Sequence, residues 1–292
     1  MGSQKKFLFV LNPISGGSDK ADMQDVVKDY ANAEGITLIE YETTGEDDEA
    51  KILELYKNHS PERILVAGGD GTIKMVAEAV EHTDAIIGVL PAGSANGLSV
   101  DLNLPKDFTE VLKIAFHGKV MEMDLVCIND KKSLHLSDIG VNAELIKNYE
   151  NSNIRGKLGY AIQAVNTLTD MAPPFHVKIE AKGRTIESEA RMVVIANTQR
   201  YGTGVTINPY GVMDDGKFEI VILKNMDLLV IGKILSGNMP VDSSDDIEIL
   251  STDNAVITTN MPVDFQIDGE YYGQEERLEV RILHKDMKVA VP

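Results

Sequence analysis

Cysteine and tryptophan are nearly missing: 292 residues include one cysteine, Cys127, and no tryptophan. A single cysteine excludes an intramolecular disulfide and fits a reducing compartment. With no visible partner constellation, Cys127 reads as a small apolar core residue. Long apolar runs are missing too. Phe7–Leu11 and Met192–Ala196 fall far short of the ~20 residues that a spanning helix needs. Lys5 and Lys6 precede the first run as in a leader peptide, but the run meets Asn12-Pro13 at once, so it reads as a buried strand. Lys6 also stands where a myristoylation signal beginning at Gly2 wants Ser or Thr. Positive charge is scarce, with 28 Lys and Arg against 46 Asp and Glu, a net charge of −18. Such a chain is a poor general binder of nucleic acid, and any contact with an anionic bilayer needs a local patch that escapes the bias. No Walker loop, no Gly-x-Gly-x-x-Gly fingerprint and no protein-kinase motif set occurs. There is no internal repeat and no low-complexity stretch.

What is present divides into two grammars. Apolar residues make up 43% of the chain, enough for two cores at this length. Over the first ~125 residues strand and helix patterns alternate. Lys6–Leu11, Thr37–Tyr41, Arg63–Ala67 and Ala85–Leu90 read as strands. Met23, Val26, Val27 and Tyr30 follow helical spacing, as do Ile52, Leu53 and Tyr56, and then Ile73, Val76, Ala77 and Val80. Repeated βα units with apolar strands predict a parallel sheet covered on both faces. The acidic run Glu46–Glu49 sits where it suits the positive end of a helix dipole.

From about Val120 short β-rich runs dominate: Val120–Cys127, Leu134–Ile139, Val177–Ala181, Met192–Ala196, Phe218–Leu223, Ala255–Thr259, Val263–Ile267 and Leu278–Leu283. Turn signals such as Asp214-Asp215-Gly216 and Asp268-Gly269 separate them. The expected boundaries are an α/β N-terminal domain over residues 1–125 and a β-rich C-terminal sandwich over 126–292, with the tail free to pack back on the first domain. Two helical patches interrupt the second half, Leu158–Met171 and Leu228–Leu235. In the first, Ile154, Leu158, Ala161, Ile162, Val165 and Leu168 form a stripe flanked by Arg155 and Lys157. It reads either as a core-packing helix or as a lid whose basic residues meet lipid headgroups. Asp170, His135 and His176 are candidates for chemistry by residue type only.

Three loops leave strands at the carboxyl edge, where open parallel sheets bind ligands. The first, Asn12-Pro13-Ile14-Ser15-Gly16-Gly17, is small enough for close approach of an anion and carries the Ser15 hydroxyl. The second, Gly68-Gly69-Asp70-Gly71-Thr72, has three glycines in four residues between a strand and a helix. Such a loop can aim N–H groups at a phosphate with the helix dipole behind them. The third is Pro91-Ala92-Gly93-Ser94-Ala95-Asn96, with Ser94 and Asn96 as donors. Lys74 follows on the second loop's helix, where it either assists a phosphate or is simply solvated.

In this order and spacing the three loops resemble the diacylglycerol kinase catalytic domain, a family that includes soluble bacterial lipid kinases, sphingosine kinases and ceramide kinases. The likeness spans nearly the whole chain and implies an N-terminal fold of the phosphofructokinase and NAD kinase type. It implies ATP as phosphoryl donor, Mg²⁺ as cofactor, and a lipid hydroxyl at a membrane surface as acceptor. Asn12, Pro13, Ser15, Gly16, Gly68, Gly69, Asp70, Gly71, Thr72, Lys74, Gly93, Ser94 and Asn96 then fall at the nucleotide. Thr44 matches a threonine that contacts ATP. Gly140-Val141-Asn142-Ala143-Glu144 is similar to a motif of the family's lipid domain. Asp214-Asp215-Gly216 resembles a structural Mg²⁺ site that uses the Asp215 side chain and main-chain oxygens at Val212 and Lys217. Asp268-Gly269-Glu270 resembles the late acidic motif, so Asp70, Asp268 and Glu270 are the base candidates. Many bacterial members carry aspartate where this chain has Gly97, and there it joins a water–metal network with the counterparts of Asp70 and Asp124. The stretch Pro91–Leu98 is in this respect more like the sphingosine kinase version. Where many members carry Asn-Glu or His-Glu after the second loop, this chain has Lys74-Met75.

The implied enzyme is cytoplasmic and meets the membrane transiently, without a transmembrane anchor or nucleic-acid partner. A strand edge in its β-rich half would allow a homodimer. The alternatives are a kinase for a soluble acceptor such as NAD, which shares the Asp70 loop, and a non-catalytic nucleotide- or lipid-binding regulator, which Gly97 favours.

Overall fold

The computed structural model describes residues 5–16, 20–94, 96–144, 173–200, 206–225 and 245–292. The helical patches expected at Leu158–Met171 and Leu228–Leu235, with Asp170, lie outside these residues. The chain forms two compact units, Met1–Met123 with Lys285–Pro292, and Asp124–His284.

The first unit alternates strand and helix: β1 Lys6–Leu11, α1 Lys20–Ala33, β2 Thr37–Glu42, α2 Asp48–His59, β3 Arg63–Gly68, α3 Asp70–Ala79, β4 Ile86–Pro91, α4 Gly97–Asp101 and α5 Phe108–His117. Strands β4, β3, β1 and β2 lie side by side in that order, all parallel. The end of the C-terminal strand returns to pair parallel with β4, Lys288 opposite Ile86 and Val289 opposite Ile87. Strands β1 and β3 are buried at five of their six positions, so both faces of the sheet are covered, which explains their unbroken apolar runs. On one face Phe7, Phe9, Leu65 and Leu90 pack with Val27 of α1 and with Val111, Leu112 and Phe116 of α5. Val26, expected on the inner face of α1, is exposed instead. Helix α5 was not expected from the sequence. Asp107 caps it by accepting the Glu110 N–H at 3.0 Å.

The second unit is antiparallel. Its strands are the end of β5 (Lys119–Ile128), β6 Lys131–Ser133, β7 Leu136–Gly140, β8 Phe175–Ala181, β9 Arg184–Ala190, β10 Met192–Ala196, β11 Phe218–Leu223, β12 Ile247–Thr252, β13 Asn254–Ile267 and most of β14 (Glu270–Val291). One sheet runs β12-β11-β10-β7-β13, and β13 also pairs β8, which pairs β9. The main core includes Ile139, Val193, Ile195, Phe218, Ile220 and Phe265. A second apolar cluster, Leu136, Met192, Val194, Ala196, Val221 and Leu223, occupies the opposite face of the β11-β10-β7 sheet. The two runs expected as separate strands at Ala255–Thr259 and Val263–Ile267 are one strand. Its register against β14 shifts between Thr258 and Val263, a stretch that contains Pro262, which has no N–H for a ladder.

Gly140 ends β7 at φ +108, and a Cβ there would sit 2.3 Å from the Arg191 carbonyl oxygen. Gly183 has φ +70 with nothing within 4 Å. Replacing Gly183 by Ala should therefore cost only the left-handed penalty, about 1 kcal/mol. Gly140→Ala should cost about 2–3 kcal/mol or more, because the overlap is with backbone. Urea midpoints of the two variants measure the difference, and equal costs would show that the steric reading of Gly140 is wrong.

Candidate active site

The order β4-β3-β1-β2 brings four loops of the first unit to one sheet edge: the Pro91–Asn96 loop, the Gly68–Thr72 loop, the Asn12–Gly16 loop, and the Thr43–Gly45 turn. They are bonded to one another, beginning with the first two loops. The Asn12 Nδ2 donates to Thr72 Oγ1 at 2.9 Å, and the Asn12 N–H to the Ala67 carbonyl at 2.9 Å. Gly68 lies under Thr72, where a Cβ would meet the threonine side chain at 2.5 Å, so only glycine fits.

The third loop is tied to both. Ser15 Oγ reaches the Ala92 carbonyl at 3.2 Å, and the Ala92 N–H reaches the Gly68 carbonyl at 2.9 Å. Gly16, at φ +61, would put a Cβ 2.6 Å from the same Ala92 oxygen. Asn96 closes its own loop, accepting from Gly93 N at 2.9 Å and donating to Gly93 O at 3.1 Å. Asn12, Ser15 and Thr72, expected at the nucleotide, thus spend side-chain groups on holding loop to loop, and Asn96 spends its amide on closing its own loop.

Asp70 is the centre of this assembly. It opens α3 and is buried. Its Oδ2 accepts the Gly97 N–H at 2.8 Å and its Oδ1 the Leu98 N–H at 3.1 Å. These are the orphan donors at the start of α4, and a carboxylate is the strongest acceptor for them. Gly71 is exposed beside it, and Ser94 is exposed in the third loop. Pro13 is exposed in the first loop, and Gly69 stands as the N-cap of α3. Lys74 is buried, which removes the reading of a simply solvated lysine.

The Thr44 turn has its own organiser, missed in the sequence. Asp48 accepts from Thr44 N at 2.9 Å, Gly45 N at 2.8 Å, Thr44 Oγ1 at 3.2 Å and the Tyr41 hydroxyl at 2.5 Å. Burial works to raise the Asp48 pKa, but the Thr44, Tyr41 and Gly45 hydrogen bonds outweigh it and hold the carboxyl below its ordinary value. The acidic run therefore does more than oppose a dipole: one of its members folds back onto the preceding turn.

The remaining candidates lie in the second unit. Asp268 sits at φ 50, its carboxylate taken by Ser133 Oγ at 3.0 Å and by the N–H groups of Leu134, His135 and Leu136 at 2.8, 3.1 and 3.3 Å. Glu270 is exposed, with the Tyr272 hydroxyl at 3.4 Å. The two are close in sequence but differ in employment: one carboxylate is saturated by the chain and the other is not. His135 is buried beside Asp268, its Nε2 3.9 Å from Oδ1. His176 donates its N–H to Asn260 Oδ1 at the start of β8, and no chemical partner is seen for its ring among the described residues.

Asp215 is exposed, and its Oδ1 accepts the Lys217 N–H at 3.0 Å. Its second oxygen and the carbonyls of Val212 and Lys217 would be an all-oxygen donor set on an exposed turn, the chemistry that suits Mg²⁺. The donors fit that ion. Asp124 is fully buried, its Oδ2 accepting from Gly216 N at 2.6 Å and its Oδ1 facing His284 Nδ1 at 2.7 Å. Among the described residues no group of three or more His, Cys, Asp or Glu side chains gathers to hold an ion. No described helix is long and apolar enough to cross a membrane.

Two family models match the chain. Residues 6–128 match the family described as the diacylglycerol kinase catalytic domain, and residues 137–291 match the YegS C-terminal NAD kinase beta sandwich-like domain. A Yersinia enterocolitica protein named "Probable lipid kinase YegS-like" is 26% identical, over 94% of this chain and 93% of its own length. The Salmonella typhimurium "Probable lipid kinase YegS" is 26% identical over 85% of this chain and 84% of its own. A crystal structure titled as a diacylglycerol kinase from Bacillus anthracis superposes with a TM-score of 0.77 at 19% identity, covering 100% of this chain and 98% of that one, a likeness of fold.

Burial and then the hydrogen bond to Asp48 push the Tyr41 phenol up to about 12. A phenol raised above its unfolded value near 10 stabilises the fold below that pH, and the contribution is lost as pH rises from about 10 towards 12. The depressed Asp48 carboxyl acts at the other end. Its contribution is present above about pH 4 and is lost as pH falls through the lower folded value. Absorbance titration at the tyrosinate band should lose its last step in Tyr41→Phe, and Asp48→Asn should flatten the acid limb of stability. An unchanged last step in Tyr41→Phe would contradict the assignment.

Proposed function

The chain belongs to the diacylglycerol kinase catalytic-domain family, a family of lipid kinases, and from that premise we propose that it moves the γ-phosphate of ATP onto a hydroxyl of a diacylglycerol-like or sphingoid lipid. The observation that carries this reading is the interlocked edge of the first unit, where Asn12–Thr72, Ser15–Ala92 and Asp70–Gly97/Leu98 bonds fix three strand-ending loops. Phosphoryl transfer asks for positioning and charge neutralisation more than for covalent chemistry, and a preset edge of backbone donors is suited to that. The orphan N–H groups in the first turn of α3 would meet the phosphates, helped by the helix dipole. Thr72 and Asn12 would keep that turn in place, and Thr44 would meet the nucleotide from the next strand.

Asp70 acts in this reading as an organiser. Its two backbone bonds hold the third loop against the second, so the anion-facing amides of both keep one geometry. Of the three carboxylates considered as base, Asp268 is satisfied by four donors, and Glu270 is exposed, with the Tyr272 hydroxyl as its neighbour among the described residues. Glu270 is therefore our choice to take the acceptor's proton, directly or through one water. Bound Mg²⁺ supplies charge neutralisation on phosphate oxygens. Asp215, with the Val212 and Lys217 carbonyls, would hold a structural ion of the same kind. The hydrocarbon part of the acceptor would need an apolar surface, and the second unit is the part of the chain expected to supply it. The enzyme would work from the cytoplasm on lipid presented at a membrane surface.

Transfer of labelled γ-phosphate from ATP·Mg²⁺ tests the reading, with diacylglycerol, monoacylglycerol, sphingosine and ceramide in mixed micelles and NAD as a soluble acceptor. One labelled lipid is the expected outcome. Labelled NAD alone would transfer the assignment to a soluble-acceptor kinase, and nucleotide binding with no labelled product would favour a non-catalytic regulator. Asp70→Asn should keep the fold and lower kcat at least about a hundredfold, because an amide cannot accept from both Gly97 and Leu98. Turnover like that of the unmodified protein would remove Asp70 from the mechanism.

A further inference from the structure

Asp124 begins the second unit, on β5, and is fully buried. It uses every polar group it has. Its N–H donates to the Met213 carbonyl at 2.7 Å. Its own carbonyl accepts from Asn197 Nδ2 at 2.7 Å, an amide that is itself fully buried. Its Oδ2 accepts the Gly216 N–H at 2.6 Å, and its Oδ1 meets His284 Nδ1 at 2.7 Å. Met213 lies just before Asp214-Asp215 and Gly216 just after, so one residue grips both ends of the turn and leaves its two-residue tip exposed.

His284 completes the grip from outside. Its side chain is half exposed, and its ring lies over Gly216, where a Cβ would stand 3.3 Å from Nδ1. Gly216 has φ +74, which favours glycine on backbone grounds as well. A buried carboxylate with a short N–H donor on each oxygen is costly to uncover, since both donors would lose their acceptor. Mg²⁺ sheds water reluctantly and keeps several waters in its shell. The two described donors on Asp124 therefore oppose exchanging them for a hydrated ion. Asp215, two residues from Met213, has the opposite character: exposed, with one oxygen occupied by the Lys217 N–H.

We propose that Asp124 and His284 are positioning residues that brace the Val212–Lys217 turn for a divalent cation, and that Asp124 is not itself a ligand. This rests on the structural-cation reading above. The turn is shaped before the ion arrives, and the ion meets oxygens already placed. The family's water–metal network, which Asp124 and Asp70 resemble in sequence, is thereby replaced in this chain. Position 97 is glycine, and both remaining carboxylates are engaged by protein donors.

The test is Mn²⁺ binding to the full chain without nucleotide, by calorimetry, together with hydrogen exchange at the Gly216 and Lys217 amides. Asp215→Ala should abolish the site with little change in Gly216 exchange. His284→Ala should weaken Mn²⁺ binding about tenfold or more and speed exchange at Gly216. His284→Asn, which returns a donor near the Nδ1 position, should restore most of both. Unchanged or tighter Mn²⁺ binding in His284→Ala, or slow Gly216 exchange in that variant, would overturn the brace. If Asp215→Ala binds Mn²⁺ normally, the cation reading of the turn fails, and fast Gly216 exchange in His284→Ala would still support the brace.

Discussion

The Asp70 carboxylate accepts the Gly97 and Leu98 N–H groups, and these two bonds decide how the second and third loops meet. The parallel sheet brings the loops to the same edge but does not by itself fix their relative height or tilt. A bidentate acceptor does so, because it must face two successive amides at once. The other bonds of the edge are consistent with that fixed point. Ala92 N–H to Gly68 O closes the gap between strand ends, Ser15 reaches Ala92 from the first loop, and Asn12 reaches Thr72. Gly16 and Gly68 are the positions where backbone or side chain comes too close for any Cβ.

The same use of charge recurs at each functional turn. Asp48 holds the Thr44-Gly45 turn and Asp268 the Leu134–Leu136 segment by backbone N–H groups on their carboxylates, and Asp124 holds the Met213–Gly216 turn by accepting the Gly216 N–H and donating its own N–H to the Met213 carbonyl. A chain with net charge −18 would be expected to repel a polyphosphate. The acids nearest the loops are instead saturated by dipoles of the main chain, which tempers their charge towards a ligand. Acidic side chains here shape the backbone of the turns they hold. The unsaturated acids Asp215 and Glu270 are exposed, as suits groups that exchange partners with an ion or a proton.

The sequence displayed the skeleton of the site because glycines and strand-ending turns are local signals. Lys6–Leu11, Met192–Ala196 and Phe218–Leu223 were readable to the residue, since buried strands leave unbroken apolar runs. Strand β9, Arg184–Ala190, was not legible: it is an edge strand with alternating charged positions and one buried residue, Ala190. The first part of β14 was hidden for a similar reason: no residue from Glu270 to Arg277 is buried, and polar and charged residues dominate it. Helix α5 did leave a signal, Asp107 three residues before Glu110 and then Val111, Leu112, Ala115 and Phe116, a cap followed by an apolar face. Whether a carboxylate would be free or saturated could not be read. Asp70 meets Gly97 across 27 residues, Asp268 meets Leu134 across 134, and His284 meets Asp124 across more, and no local pattern encodes such pairs.

Gly97 then has a physical meaning beyond a missing ligand. It is buried and its N–H is committed to Asp70 Oδ2. An aspartate at that position would bring a second carboxylate against the one its own amide is binding, and like charges so placed require a cation or a proton between them. Glycine removes the need. Asp70 can then spend its charge on the two amides of α4, and the loop is held by the chain itself. The glycine at position 97 and the geometry of Asp70 are thus compatible with each other: the third loop is held to Asp70 by the chain's own amides. The Asp124–His284 contact follows the same logic in the second unit, where an imidazole sits against one oxygen of a buried carboxylate and the Gly216 N–H against the other.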